Sequence, residues 1–227
     1  MPSMTMDGKT LTVINDFSSC AGGQLALGVR IKSGWAALVL MGGTRSAPVV
    51  LDTRRVELAD PATPASTQPH HAGAGTPQTD ARVLRRLVTL IERCAHANVA
   101  ALLEEYRAAG WFPGVGVVVG TSATDPDTIT NPHIRIHALE GHLFRRVAGE
   151  ALAGAGLRIR SVLERELVSA APAQLGYPPA QVTKQLAKLR PPAAGPWRHE
   201  QKMAALAAWL QLSSAGRQAA RSHGRLT

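Results

Sequence analysis

The stretch Leu25-Ala-Leu-Gly-Val-Arg-Ile-Lys-Ser-Gly-Trp-Ala-Ala-Leu-Val-Leu-Met41 decides how the chain is read. Leu27, Val29 and Ile31 alternate with Gly28, Arg30 and Lys32, which is the period of two expected of a β-strand. Ser33-Gly34 supplies a tight turn, and Trp35 to Met41 is an apolar run suited to the returning strand. Gly42-Gly43 interrupts that run, and Pro48 to Leu58 predicts a third strand. Three adjoining strands with short connections predict an antiparallel meander.

Downstream the pattern changes to alternating helices and strands. Asp80 is placed to cap a helix reaching about Ala109, with a break predicted near Asn98 and a stop at Gly110. Gly114 to Gly120, with valine at 115, 117, 118 and 119, predicts a buried strand. Asn131-Pro132 opens a helix to about Ala153, because Asn caps well and Pro suits the first helical position. Leu157 to Leu163 predicts a fifth strand, followed by helices at about 164–175, 178–189 and 197–212. The order β-β-β-α-β-α-β-α, with one additional helix before the end, predicts an α/β fold. Its sheet is mixed and five-stranded, a three-strand antiparallel meander plus two α/β crossover strands, with helices on both faces. The expected organisation is an extension over 1–24, one domain over 25–212 and a basic tail over 213–227. Residues 59–79, rich in Pro, Ala, Thr, His and Gly, form a long loop insertion with no periodicity of its own.

Composition narrows the partners. Of 227 residues 45% are hydrophobic but only 4% aromatic, so the core must be built from Leu, Val, Ile and Ala. Lys and Arg outnumber Asp and Glu by 25 to 16, a net charge of +9, which favours polyanionic partners. An Arg- and Ala-rich source explains the same surplus without any partner. The two cysteines, Cys20 and Cys94, make neither a metal-ligand pattern nor a disulfide framework. Met1 to Lys9 lacks a secretory pattern and no apolar run suits a membrane span, so a cytoplasmic location without membrane contact is expected.

Local residues add a family likeness. Gly28-Val29-Arg30 followed by Gly34-Trp35-Ala36-Ala37-Leu38 resembles the first hairpin of the ribonuclease H-like superfamily, in particular its Holliday-junction resolvase branch. His199-Glu200-Gln201-Lys202-Met203-Ala204-Ala205-Leu206-Ala207 is similar to the last helix of that branch. The resemblance implies the fold just described over residues 25–212, and a nuclease ancestry. It also implies two metal ions held by carboxylates from the first strand, the fourth strand and the last helix. Here those positions carry Arg30, the run Val119-Gly120-Thr121 and Lys202. Cationic side chains cannot ligate Mg²⁺ and repel it, so the resemblance points to a relative whose catalytic acids are lost. Asp16 would restore one acid if Thr10 to Asp16 were the true first strand.

Three candidate sites follow. On the helix opened by Asn131, the residues His133, His137 and Glu140 share one face at spacings i, i+4 and i+7. That face suits a transition metal, an acid–base pair in which Glu140 orients His137, or a semi-buried hydrogen-bond cluster that only packs. A second candidate is an anion site at the carboxyl ends of the parallel strands. There Arg30, Lys32, Thr121, Ser122, Arg135 and Lys202 would converge on a phosphate. Thr124 adds a hydroxyl, and Asp125 and Asp127 stand in the same loop and oppose it. A third is the basic helix face formed by Arg82, Arg85, Arg86 and Arg93, which meets nucleic acid or simply keeps the helix solvated. His70-His71, Gly73-x-Gly75, Trp197-Arg198 and the tail residues Arg217, Arg221 and Arg225 carry weaker signals.

Two functions compete on these grounds. One is a catalytically degenerate ribonuclease H-like domain that binds nucleic acid or another phosphate-bearing ligand. The other is an enzyme of unidentified reaction using His133, His137 and Glu140 on an anionic substrate, with Arg135 holding the anion. No cofactor and no oligomeric state can be read from the residues.

Overall fold

The computed structural model describes residues 25–73, 76–121, 124–189 and 196–212. The 1–24 extension with Asp16 and Cys20, Gly75, Ser122 and the arginine-bearing tail lie outside the described residues. Strands β1 (Leu25–Lys32), β2 (Trp35–Gly43) and β3 (Pro48–Glu57) make the meander. The short strands β4 (His71–Gly73) and β5 (Thr76–Pro77) form a separate hairpin, after which come helix α1 (Ala81–Ala108) and strand β6 (Pro113–Gly120). Helix α2 (Pro132–Gly154), strand β7 (Arg158–Leu163) and helices α3 (Glu164–Leu175), α4 (Pro179–Lys188) and α5 (His199–Trp209) complete the domain.

The five-stranded sheet has the order β3-β2-β1-β6-β7. β1 is antiparallel to β2 and parallel to β6, β6 is parallel to β7, and β2 is antiparallel to β3. Strands β3, β1, β6 and β7 therefore all end at one edge, and the loops after β3 and β6 both leave from it. In open α/β sheets this carboxyl edge is where ligands gather.

Both faces of the sheet are covered. Leu27, Val29 and Ile31 of β1 join the core beneath α1 and α2. Ala26 of the same strand faces a second core dominated by α5. Helix α5 is buried nearly all round, with Ala204, Ala205, Ala207 and Ala208 inaccessible to solvent. Its close approach requires Gly28: a Cβ there would lie 1.8 Å from the Ala204 carbonyl oxygen.

The predicted break at Asn98 does not occur; α1 is one helix of 28 residues. Asn98 is a poor helix former, but its Nδ2 donates to the Glu57 carbonyl at 2.9 Å, so it tethers the helix to the end of β3 instead of interrupting it. At both helix starts the expected caps are formed. Asp80 accepts from the Arg82 and Val83 amides, and Asn131 accepts from the Ile134 amide.

Within the insertion, the stretch from Asp60 to Ser66 is held by its own polar groups. The Asp60 carboxylate accepts from the Ala62 amide and the Thr63 hydroxyl, each at 2.9 Å. Ser66 Oγ, fully buried, accepts from the Asp60 amide at 3.0 Å and donates to the Thr63 carbonyl at 2.7 Å. A 3₁₀ turn over Pro64–Thr67 and the β4–β5 hairpin follow, both too short to leave a periodic signal in the sequence. Among the described residues, no helix is long and apolar enough to cross a membrane.

Candidate functional site

Two contacts set α1 against β3. Asn98 meets Glu57 at the strand's end, and Glu105 pairs with Arg54 further back at 3.2 Å. The turns of α1 before Asn98 therefore extend past the end of β3, and the 59–79 segment folds against them. Glu92 of α1 pairs at 3.0 Å with Arg146 of α2, so the two helices run together at this edge.

There the hairpin delivers His71 to the face already marked on α2. His71 Nδ1 lies 2.7 Å from Glu140 Oε1, a contact across 69 residues of chain. His137 Nδ1 is 3.8 Å from the other oxygen, Glu140 Oε2, and the Nε2 atoms of His137 and His133 are 3.2 Å apart. The ring of His71 stands 5.2 Å from that of His137 and 6.4 Å from that of His133. One ligating atom from each of His71, His133 and His137 falls within 4.8 Å of the other two, which makes this group able to hold a metal ion. His133 and His137 are exposed, His71 is mostly covered, and Glu140 is 1% exposed.

Burial pushes the Glu140 carboxyl above its ordinary value, and the hydrogen bond from His71 pulls it back. Burial, reinforced by neighbouring His71, lowers the basicity of His70. Ile136, Leu143 and Val147 form the buried stripe of α2, and Leu139 is half-buried. Glu140 lies in the interior, because the loop carrying His71 closes over it.

The anion-site residues are placed differently from one another. Arg30 is buried, and its Nη2 pairs with Glu164 Oε2 at 2.5 Å while Nη1 donates to the Ile31 carbonyl at 2.8 Å. Glu164 Oε1 also takes His199 Nε2 at 2.7 Å, which links β1, α3 and α5. Lys32 faces Glu200 at 3.8 Å. Arg135, on the helix covering the opposite face of the sheet, pairs with Asp127 at 2.6 Å. Thr121 is exposed at the end of β6 and Lys202 is half-buried on α5. Arg30, Lys32 and Arg135 thus each already have an acidic partner. Beside Arg30 on β6 stands Val119, apolar and fully buried. Gly120, the next residue, has Arg145 packed against it: a Cβ would meet Nη1 at 2.7 Å.

The arginines of α1 contrast with these. Arg82, Arg85, Arg86 and Arg93 are exposed, share one helix face, and have no acidic partner among the described residues. They line an open groove of about 600 Å³, with Thr63 of the loop as part of its wall. Trp197 points inward, its Nε1 donating to the Leu186 carbonyl at 2.8 Å, which accounts for it without a ligand.

In the sequence His71 is only one of two adjacent loop histidines, and no motif includes Glu164. The adjacent pair His70-His71 was the available signal for the first; only the three-dimensional closure of the loop gives it meaning. Glu164 follows β7 directly, but nothing local in the sequence connects it to Arg30.

No protein-family model matches the chain, and no curated protein is similar to it in sequence. Solved structures are similar to it. RuvC from Thermus thermophilus, in complex with Holliday junction substrate, superposes with a TM-score of 0.50 at 14% identity, covering 82% of this chain and 91% of that one. Another Thermus thermophilus RuvC structure gives 0.48 at 14% identity over 82% and 92% of the two chains. The yeast mitochondrial Holliday junction resolvase Ydc2 gives 0.43 at 10% identity over 82% and 76%. At these identities the likeness concerns the fold, and the fold is ribonuclease H-like.

Proposed function

We propose that this chain is a ribonuclease H-like domain that binds nucleic acid or another phosphate-bearing polyanion, without two-metal strand cleavage at the carboxyl edge of its sheet. The observation that carries this reading is the face of α1, where Arg82, Arg85, Arg86 and Arg93 line one groove without an acidic partner among the described residues. Elsewhere Arg30, Arg54, Arg55, Arg107, Arg135 and Arg146 are all matched by carboxylates. Four unmatched guanidinium groups on one face repel each other, and phosphates relieve that repulsion while releasing counterions. A net charge of +9 supports the same direction. The Thermus thermophilus structure in complex with Holliday junction substrate makes branched DNA a natural first ligand to try.

The non-cleaving half of the proposal rests on Arg30 and Val119, neighbours on β1 and β6. A guanidinium with an apolar neighbour gives Mg²⁺ nothing to bind, and the acids nearby, Glu164 and Glu200, are each engaged with a cation.

Fluorescence anisotropy of labelled single-stranded, duplex and four-way-junction DNA at low salt tests the proposal. Binding is expected, with log K falling linearly against log salt, and the double change Arg85→Glu, Arg86→Glu should weaken it at least about tenfold. Absence of binding to all three DNAs, or unchanged affinity in that variant, would overturn the binding half. Magnesium-dependent cutting by the purified chain would overturn the other.

A further inference from the structure

We infer that His71, His133 and His137 form a binding site for a divalent transition-metal ion, zinc by the chemistry of its donors, with Glu140 fixing the ligands from behind. The site is separate from the arginine groove and does not depend on the nucleic-acid reading.

The donors come from two segments far apart in sequence. His133 and His137 are one helical turn apart on α2, and their Nε2 atoms, 3.2 Å apart, already span close to the edge of a tetrahedron whose Zn–N bonds are about 2.0–2.1 Å. His71 arrives from the β4–β5 hairpin, and one ligating atom of each ring lies within 4.8 Å of the others. Small side-chain rotations close that spread around one ion. Three neutral imidazoles suit zinc and its neighbours in the first transition row, and they do not suit Mg²⁺ or Ca²⁺, which require oxygen ligands.

Glu140 is the second, independent observation. It is 1% exposed, and its Oε2 is buried with no hydrogen-bond partner, 3.8 Å from His137 Nδ1. Its other oxygen accepts from His71 Nδ1 at 2.7 Å. A carboxylate that takes the Nδ1–H of a histidine fixes the tautomer in which Nε2 keeps its lone pair, the arrangement common behind metal-ligating histidines. One buried carboxylate thus prepares His71 to coordinate through Nε2 and faces a second ring, that of His137, across 3.8 Å. An apolar residue of similar size would avoid the cost of burying a carboxyl with Oε2 left without a hydrogen bond.

Exposure of His133 and His137 leaves a fourth position open to solvent, for water or for an exogenous anion. Because His71 belongs to the 59–79 segment, a bound ion would also pin that segment to α2. The ion therefore has a stabilising effect that can be measured without any assay of activity.

The experiment uses the full chain, stripped with chelator and returned to metal-free buffer. Titration with CoCl₂ should produce the visible absorption of a low-symmetry, near-tetrahedral cobalt site, saturating at one ion per chain, and ZnCl₂ should displace it. Adding ZnCl₂ should raise the melting temperature. The double variant His133→Ala, His137→Ala changes only exposed side chains and should fold, yet lose the cobalt spectrum and the zinc-dependent melting shift. Glu140→Gln should weaken zinc roughly 10–100-fold, as loss of a carboxylate behind a ligand does elsewhere. The inference fails if added ZnCl₂ leaves the melting temperature unchanged and CoCl₂ gives no such spectrum. It also fails if the double variant binds both ions as the parent does. DNA binding is read in a separate assay, so failure of one reading leaves the other to be judged on its own result.

Discussion

Arg30 Nη2 stands 2.5 Å from Glu164 Oε2, a pair that joins the first strand to the first turn of α3 with the guanidinium almost fully covered. Removing one partner of such a pair leaves the other charge buried and uncompensated. Glu164→Gln should therefore cost about 3 kcal/mol, the lower end of what breaking a buried pair costs. The double replacement Arg30→Met, Glu164→Gln should recover most of that loss, because no buried charge is left. Urea denaturation of the three proteins measures both values. A cost below about 1 kcal/mol for the single change would mean that water reaches Arg30 and screens the pair.

Gly28 and Gly141 make opposite predictions from the same kind of change. A methyl at Gly28 would collide with the Ala204 carbonyl, so Gly28→Ala must push α5 off the sheet, at a cost of roughly 3 kcal/mol, the upper range for overpacking. Gly141 lies on the exposed face of α2 with nothing within 4 Å of a built Cβ. Gly141→Ala should stabilise the chain by about 1 kcal/mol through helix propensity alone. Thermal melts of the two variants should move in opposite directions from the parent.

The alkaline limit of stability should depend on Tyr106. Its side chain is buried, and burial first, then the negative charge of Asp52, raises its phenol well above the ordinary value of 10.0. Above that value the unfolded chain releases the phenolic proton while the folded chain keeps it. Unfolding is then favoured by up to about 1.4 kcal/mol per pH unit until the folded-state value is passed. Below pH 10 neither state releases the proton and this contribution vanishes. Tyr106→Phe should flatten the loss of stability between pH 10 and 11 relative to the parent, read as chemical denaturation midpoints. Equal slopes for both proteins would show that other groups govern the alkaline limit.

The architecture was legible because its signals are local. Alternation in 25–31, the Ser33-Gly34 turn, the valine run before Gly120 and the caps at Asp80 and Asn131 each act within a few residues. The candidate site was legible in part. His133, His137 and Glu140 share a helix face by spacing alone, whereas His71 reaches Glu140 only through a loop whose order comes from Asp60 and Ser66. The pairing of Arg30 with Glu164 was hidden for the same reason, being a contact between elements with no sequence signature. Net charge showed a surplus of cations, but only coordinates separate the matched ones, such as Arg135 with Asp127, from those on α1 without acidic partners among the described residues.

The loop offers a final test because one hydroxyl holds its base. Ser66 Oγ is fully buried, accepts from the Asp60 amide and donates to the Thr63 carbonyl, and the chain leads from there to His71 in five residues. Ser66→Ala leaves the Asp60 amide without its acceptor, while the Thr63 carbonyl keeps the Ser66 amide, a local cost of about 1–3 kcal/mol. The β1–β3 meander and α5 do not depend on that hydroxyl, so the loss should be confined to the loop. Hydrogen exchange should quicken between Asp60 and Gly73 while the amides of β1 and β6 keep the parent's protection. Zinc affinity should fall as well, since His71 would have to be ordered at the moment of binding, whereas the arginines of α1, anchored by their own helix, should retain DNA. Uniform acceleration across the whole chain would instead make Ser66 a determinant of global stability and separate the loop from the histidine site.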